Sequence, residues 1–564
     1  MDRRGTRLGL AFTLVFAACV GGVGESDDLR PSGAGAPAPV PSDGAASGTA
    51  PSTPASGAAV GGTSTAAEPA LRRLSRIEYD NTVRDLLGDR TRAGVNRLPE
   101  EVISPDIAFD NDVSTQQVSA ELVAAVETLA QEAAARAVKD PEVRKALLPC
   151  APTDPADAAC FKSFVARFGR RAFRRPLTDA EVSRYLPFQA FANEQKDFFA
   201  AVELVIAEML QDPEFIYRIE GGTPSTERPG FYRLNPYEVA SRLSYFVLGT
   251  TPDDGLLALA EASKLSTPAE IRDAMAKLLA DSRARDRVQQ FHAEWLGYER
   301  SPLAESLASA LRKETRALVE RVVFERPSSY LDLFAAKETF VDATLAKHYG
   351  LAAPPSGWAW VPYGQAKRVG ILSHGAALAA TSMPGDTSPV DRGRFISTRL
   401  MCRAIPPPPA NVNVNEDAAP HKPCKKDKLV AHAQSAVCAG CHTHMDPIGF
   451  GLENYDREGK YRTTEPGLPA CTITGEGTLP EVGPFVGVDG LTRALMTSGR
   501  IEDCAVRQLF RFAMGRTESS HDTGELAMVV SALRDERKPL RDLLMAIVSA
   551  PSFGYRFDGA AKGK

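Results

Sequence analysis

The chain has 564 residues, 43% of them hydrophobic and 24% charged, with a formal net charge of −5 and a pI near 6.0. Charges of both signs in near balance exclude the basic footprint of a nucleic-acid-binding protein. Beyond the N-terminal region no run of eighteen apolar residues occurs, so the body is expected to lie outside the bilayer, and its length suits about three to five compact units.

Residues 1–19 read as a secretory signal. Arg3, Arg4 and Arg7 precede an apolar run from Leu8 to Ala18 that is too short to span a membrane, and small residues close it. Cys19 after Ala17 and Ala18 resembles a lipoprotein processing site, where the cysteine would carry a lipid anchor. Residues 20–70 are mostly Ser, Gly, Ala, Pro and Thr, a composition that buries too little apolar surface to offset chain entropy. This segment is expected to be a disordered tether, and the whole is expected in the cell envelope, as a periplasmic or outer-membrane lipoprotein.

The body reads as mainly α, a series of small helical domains with few short strands. A first helical domain is expected over 71–140, where Leu74, Ile77, Val83, Leu86 and Leu87 keep helical spacing between a cap at Ser75 and a stop at Gly88. A second, over 141–225, holds Cys150 and Cys160 on either side of a Pro/Asp-rich loop, and Thr178 caps a helix through Glu181. A third spans 230–357, opened by Asn235 as cap and Pro236 at the first helical position. A haem-binding domain is expected over 365–465 and a last helical domain over 466–564. Short strands are expected near Trp358–Val361 and around Cys471.

The most specific chemistry lies in Cys438-Ala439-Gly440-Cys441-His442. Two thiols two residues apart and an adjoining imidazole are what covalent attachment of a c-type haem requires: the sulfurs add across the vinyl groups and the histidine ligates iron. Zinc is the alternative cofactor, because His421, Cys424, His432 and His444 stand close enough in sequence to complete a nitrogen and sulfur shell. If His442 is the proximal ligand, Met445 and His444 are too near it to reach the other face. Met496 is then the expected metal ligand at the sixth position, or that position is open; Met514 and His374 read as ordinary core or surface residues. Phe450 and Leu452 would pack on the haem, and Arg457 or Arg462 would pair with its propionates.

Setting aside Cys19 and the two motif thiols leaves Cys150, Cys160, Cys402, Cys424, Cys471 and Cys504, enough for three disulfides in an oxidising compartment. Cys150 is expected to pair with Cys160; the other four allow three connectivities.

Several stretches, in order, resemble a large multidomain envelope protein of the planctomycete and myxobacterial type, built from consecutive domains of unknown function, one with a cytochrome c signature. They are Leu74 to Gly88, Phe173 to Leu177, Tyr232 to Phe246, Gly370 to His374, Thr387 to Gly393, Ile405 to Pro409, and Cys438 to Asp456. The resemblance implies fold and compartment more than reaction. The expected function is that of an exported c-type haem protein, in electron transfer to an envelope redox partner or within an envelope oxidoreductase. The competing expectation is an envelope scaffold or polysaccharide-binding protein in which haem or zinc is structural. Neither makes the chain an enzyme by sequence alone.

Overall fold

The structure, a computed structural model, describes residues 70–405, 422–434 and 436–557. The expected signal and Cys19, the tether up to residue 69, the prolines at 406–409 and His421 lie outside the described residues. Ala70, expected in the tether, begins the first strand, Ala70–Arg73, which pairs antiparallel with Tyr217–Glu220.

The fold is mainly α, with strands confined to small sheets of two or three. Helices begin where the local chemistry says they should. Ser75 and Glu78 form a reciprocal capping box on Arg76–Leu87, which ends at Gly88 in the left-handed conformation. Thr178 with Glu181 and Asn235 with Glu238 repeat the device, the latter with Pro236 in the first turn. The long helix Ala120–Lys139 starts at Ala120 because Ser119 supplies the cap. Ala359–Pro362 is a strand, as expected, paired with Glu338–Val341.

Two apolar cores organise the described residues. One joins Leu74, Val83, Leu129, Phe161, Phe164, Val205 and Phe215, and takes Tyr245 from further along the chain. The other runs from Phe109 through Leu243, Trp295, Phe334, Ile448, Leu491 and Phe512 to Phe553. Each core therefore draws residues from more than one of the domain segments expected from sequence. Buried ion pairs pin distant segments together: Arg242, 2% exposed, donates to Glu220 at 2.9 Å and to the carbonyl of Phe553, and Arg287 donates to Glu78 at 2.9 Å.

Among the described residues three disulfides are present: Cys150–Cys160, as expected, and the pairs the sequence left open, Cys402–Cys504 and Cys424–Cys471. Among the described residues no helix is long and apolar enough to cross a membrane.

Candidate haem site

The Cys438–His442 motif lies in the first half of the helix Ala436–Phe450. What holds this helix is close backbone packing against the helix Pro389–Phe395. A Cβ on Gly393 would overlap the carbonyl of Met445, and one on Gly449 would overlap the carbonyl of Pro389, so glycine at both positions is a packing requirement. Beside this contact Arg392, fully buried, donates to the Glu453 carboxylate and to the carbonyls of Leu452 and Tyr455, each at 2.8 Å. Glu453 also accepts from Thr387 Oγ1 at 2.6 Å and Arg462 at 3.0 Å. The stretches Thr387 to Gly393 and Leu452 to Asp456 thus clamp each other, and their role is to fix the motif helix.

Cys438 and Cys441 are thiols, half-buried, while the six cysteines predicted to pair are all in disulfides. His442 is half-buried, and its Nδ1 lies 3.0 and 3.1 Å from the two oxygens of Asp446. The Asp446 hydrogen bond raises the imidazole pKa, against the opposing effect of burial. With Nδ1 engaged, Nε2 is the nitrogen left to bind a metal, the tautomer control usual for ligating histidines. The His432 ring packs edge-on against His442, centroids 4.7 Å apart.

Cys438, Cys441, His442, His432 and Met445 line one cleft of about 2890 Å³, with Met383, Arg399, Trp295, Asp110 and Glu294 among its other lining residues. The donor set fits a c-type haem: two thiols, an imidazole with its far nitrogen anchored, and an adjoining cavity. It fits zinc poorly, since Cys424 is bonded to Cys471 and, among the described residues, no group of three His, Cys, Asp or Glu side chains converges.

The other predicted site residues fall elsewhere. Met496 is half-buried against the main core and is not among the cleft-lining residues; Met514, 2% exposed, is core, and His444 is exposed. His374 is fully buried, with Nδ1 3.0 Å from Thr315 Oγ1 and Nε2 3.7 Å from Glu314. Leu452 belongs to the main core, and Arg462 donates to Glu453 and to a backbone carbonyl. Sequence reading missed the role of Asp446, whose signal was its position one turn after His442 on the same helix face.

Fold and site together define a mainly α, disulfide-stapled protein in which a Cys-x-x-Cys-His helix opens onto a large cleft. The chain matches in order five families, each described as a protein of unknown function: DUF1587 over residues 72–139, DUF1595 over 160–220, DUF1592 over 234–351, DUF1588 over 368–465 and DUF1585 over 483–553. Five such matches in succession mark a multidomain protein of planctomycete type. The fourth, which contains the motif, bears the family name PSCyt3. No curated protein and no solved structure matches the chain.

Proposed function

We propose that the protein is an exported, single-haem c-type protein of the cell envelope that transfers electrons to an envelope redox partner or within a larger oxidoreductase. The observation that carries this reading is that Cys438, Cys441 and His442 line one cleft, with the His442 Nδ1 held by Asp446. Covalently bound haem would supply a one-electron couple whose potential the protein sets through axial ligation, hydrogen bonding to the histidine and burial. Asp446 orients the imidazole and increases its basicity, which favours ferric iron. The family name of the motif-bearing segment and the three disulfides, which suit an oxidising compartment, support the same reading.

The test is expression in an export host with haem-attachment machinery. The expected result is haem that survives denaturation and acid extraction and is lost when Cys438 and Cys441 are both replaced by Ala. A mass equal to the bare polypeptide, or stoichiometric zinc in place of haem, overturns the reading.

A further inference from the structure

The cleft wall beside the motif carries cations without counter-ions. The helix Pro389–Phe395 continues as one π-helical turn, Ile396–Leu400, a feature frequent at functional sites. It runs antiparallel to the motif helix, since Gly393 meets Met445 and Gly449 meets Pro389. Arg399 lies six residues beyond Gly393, and six residues before Met445 is Ala439, so Arg399 stands level with the turn that carries Cys438 and Cys441.

The Arg399 backbone is fixed: Trp295 Nε1 donates to its carbonyl at 2.7 Å, and three residues on Cys402 is bonded to Cys504. The side chain is uncommitted. Arg399 lines the cleft, half-buried, and its guanidinium has no hydrogen-bond or ion-pair partner among the described residues. Arg300, on the loop after the helix Ser282–Leu296, is an exposed residue of the same cleft lining, and its side chain likewise has no partner among the described residues. Two neighbouring arginines are neutralised, Arg394 by Asp391 at 2.9 Å and Arg511 by Glu518 at 2.7 Å. Burial, then Arg394, Arg300 and Arg511, push the Arg399 guanidinium down to about 10, and no carboxylate acts in the opposite sense. A charge withdrawn from water among like charges is costly, and an anion entering the cleft would offset that cost.

We propose that Arg399 and Arg300 form a carboxylate-binding site on this wall of the cleft. A guanidinium presents a planar fork that a carboxylate meets with two parallel hydrogen bonds. The choice of carboxylate rests on the haem reading above: a haem attached at Cys438 and Cys441 brings two propionates into the same cleft, one for each unpaired arginine. A free dicarboxylate has the same chemistry and is the other source of the ligand. Neutral ligands leave both charges uncompensated, and a cation is repelled.

The test uses the full chain in two forms, haem-loaded from an export host with attachment machinery and haem-free from a host without it. Spectroelectrochemistry of the loaded form compares wild type with Arg399→Gln and Arg300→Gln. If the propionates are the ligand, the reduction potential falls in both variants, because an uncompensated carboxylate stabilises ferric iron. If the ligand is a free dicarboxylate, the potential is unchanged, and calorimetry on both forms shows succinate binding to wild type at least tenfold more tightly than to either variant. Arg300 is exposed, so its variant keeps the fold, and circular dichroism checks Arg399→Gln. An unchanged potential together with no succinate binding, or with equal succinate binding in all three proteins, overturns the proposal. Inorganic phosphate that displaces succinate at lower concentration also overturns it, by making the site one for oxyanions in general. A chain without covalent haem refutes the haem reading alone, and the succinate titration of the haem-free form still decides the site.

Discussion

The Asp446 carboxylate grips His442 Nδ1 with both oxygens, at 3.0 and 3.1 Å, from one helical turn further along the same helix. Asp446 is itself 3% exposed, so the contact is made out of water, where a charged hydrogen bond is strong. Rotation of the imidazole is thereby restricted before any ligand reaches Nε2.

Asp446→Asn keeps the shape and removes the charge. Haem is expected to remain attached through Cys438 and Cys441 while its reduction potential rises, because a less basic histidine stabilises ferric iron less. Spectroelectrochemical titration of wild type and variant checks this; an unchanged potential would show that Asp446 does not act on the iron.

Met496→Leu should leave the visible spectrum of the haem protein as it is, since Met496 packs against the core away from the cleft lining. A volume-conserving swap there should cost less than about 1.5 kcal/mol. Loss of a methionine-type charge-transfer band in this variant would restore Met496 as the sixth ligand.

Glycine has opposite meanings at three positions around the motif. Gly393→Ala and Gly449→Ala force a methyl into backbone and should each destabilise by roughly 1–3 kcal/mol or more. Gly440→Ala, within the same helix and with nothing within 4 Å of its added Cβ, should stabilise by about 0.5–1 kcal/mol. Denaturant unfolding of the three variants separates the two cases.

Breaking the buried Arg392–Glu453 pair by Glu453→Gln should cost about 3–5 kcal/mol, because the fully buried Arg392 is left charged without its carboxylate. Thermal melts check the magnitude, and a cost below 1 kcal/mol would mean the clamp is not needed to hold the motif helix.

Stability against pH should respond to Glu314 and His374, both fully buried. Burial pushes Glu314 up to about 7 and His374 down to about 3. The raised acid contributes stability that is present below its ordinary value of 4.5 and is lost as pH rises to about 7. The lowered histidine acts in the opposite sense, contributing stability above 6.5 that is lost as pH falls toward 3. The two slopes oppose each other between pH 4.5 and 6.5, so Glu314→Gln should make the melting temperature climb more steeply with pH across that window. A variant profile parallel to wild type would contradict the assignment.

Much of the local structure was legible because its causes lie within a few residues. Ser75 with Glu78, Thr178 with Glu181, and Asn235 before Pro236 mark helix starts by chemistry that needs only three or four neighbours. The ten-residue separation of Cys150 and Cys160 made their pairing legible in the same way. The Cys-x-x-Cys-His spacing, which carries the haem reading proposed above, is likewise read without reference to the rest of the chain.

By itself, then, the sequence determined the helical class and the helix starts, both set by short-range hydrogen bonding and periodicity, and displayed the Cys-x-x-Cys-His spacing. Only the tertiary structure decided how remote residues meet. It chose Cys402–Cys504, 102 residues apart, over two other connectivities, and set Asp110 against Glu294 across 184. It also packed Met496, half-buried, against the main core. The physical reason is that these placements follow from which apolar faces share a core and which backbones can touch at Gly393 and Gly449. Packing of that kind is settled by the whole chain at once, and no local window of residues contains it.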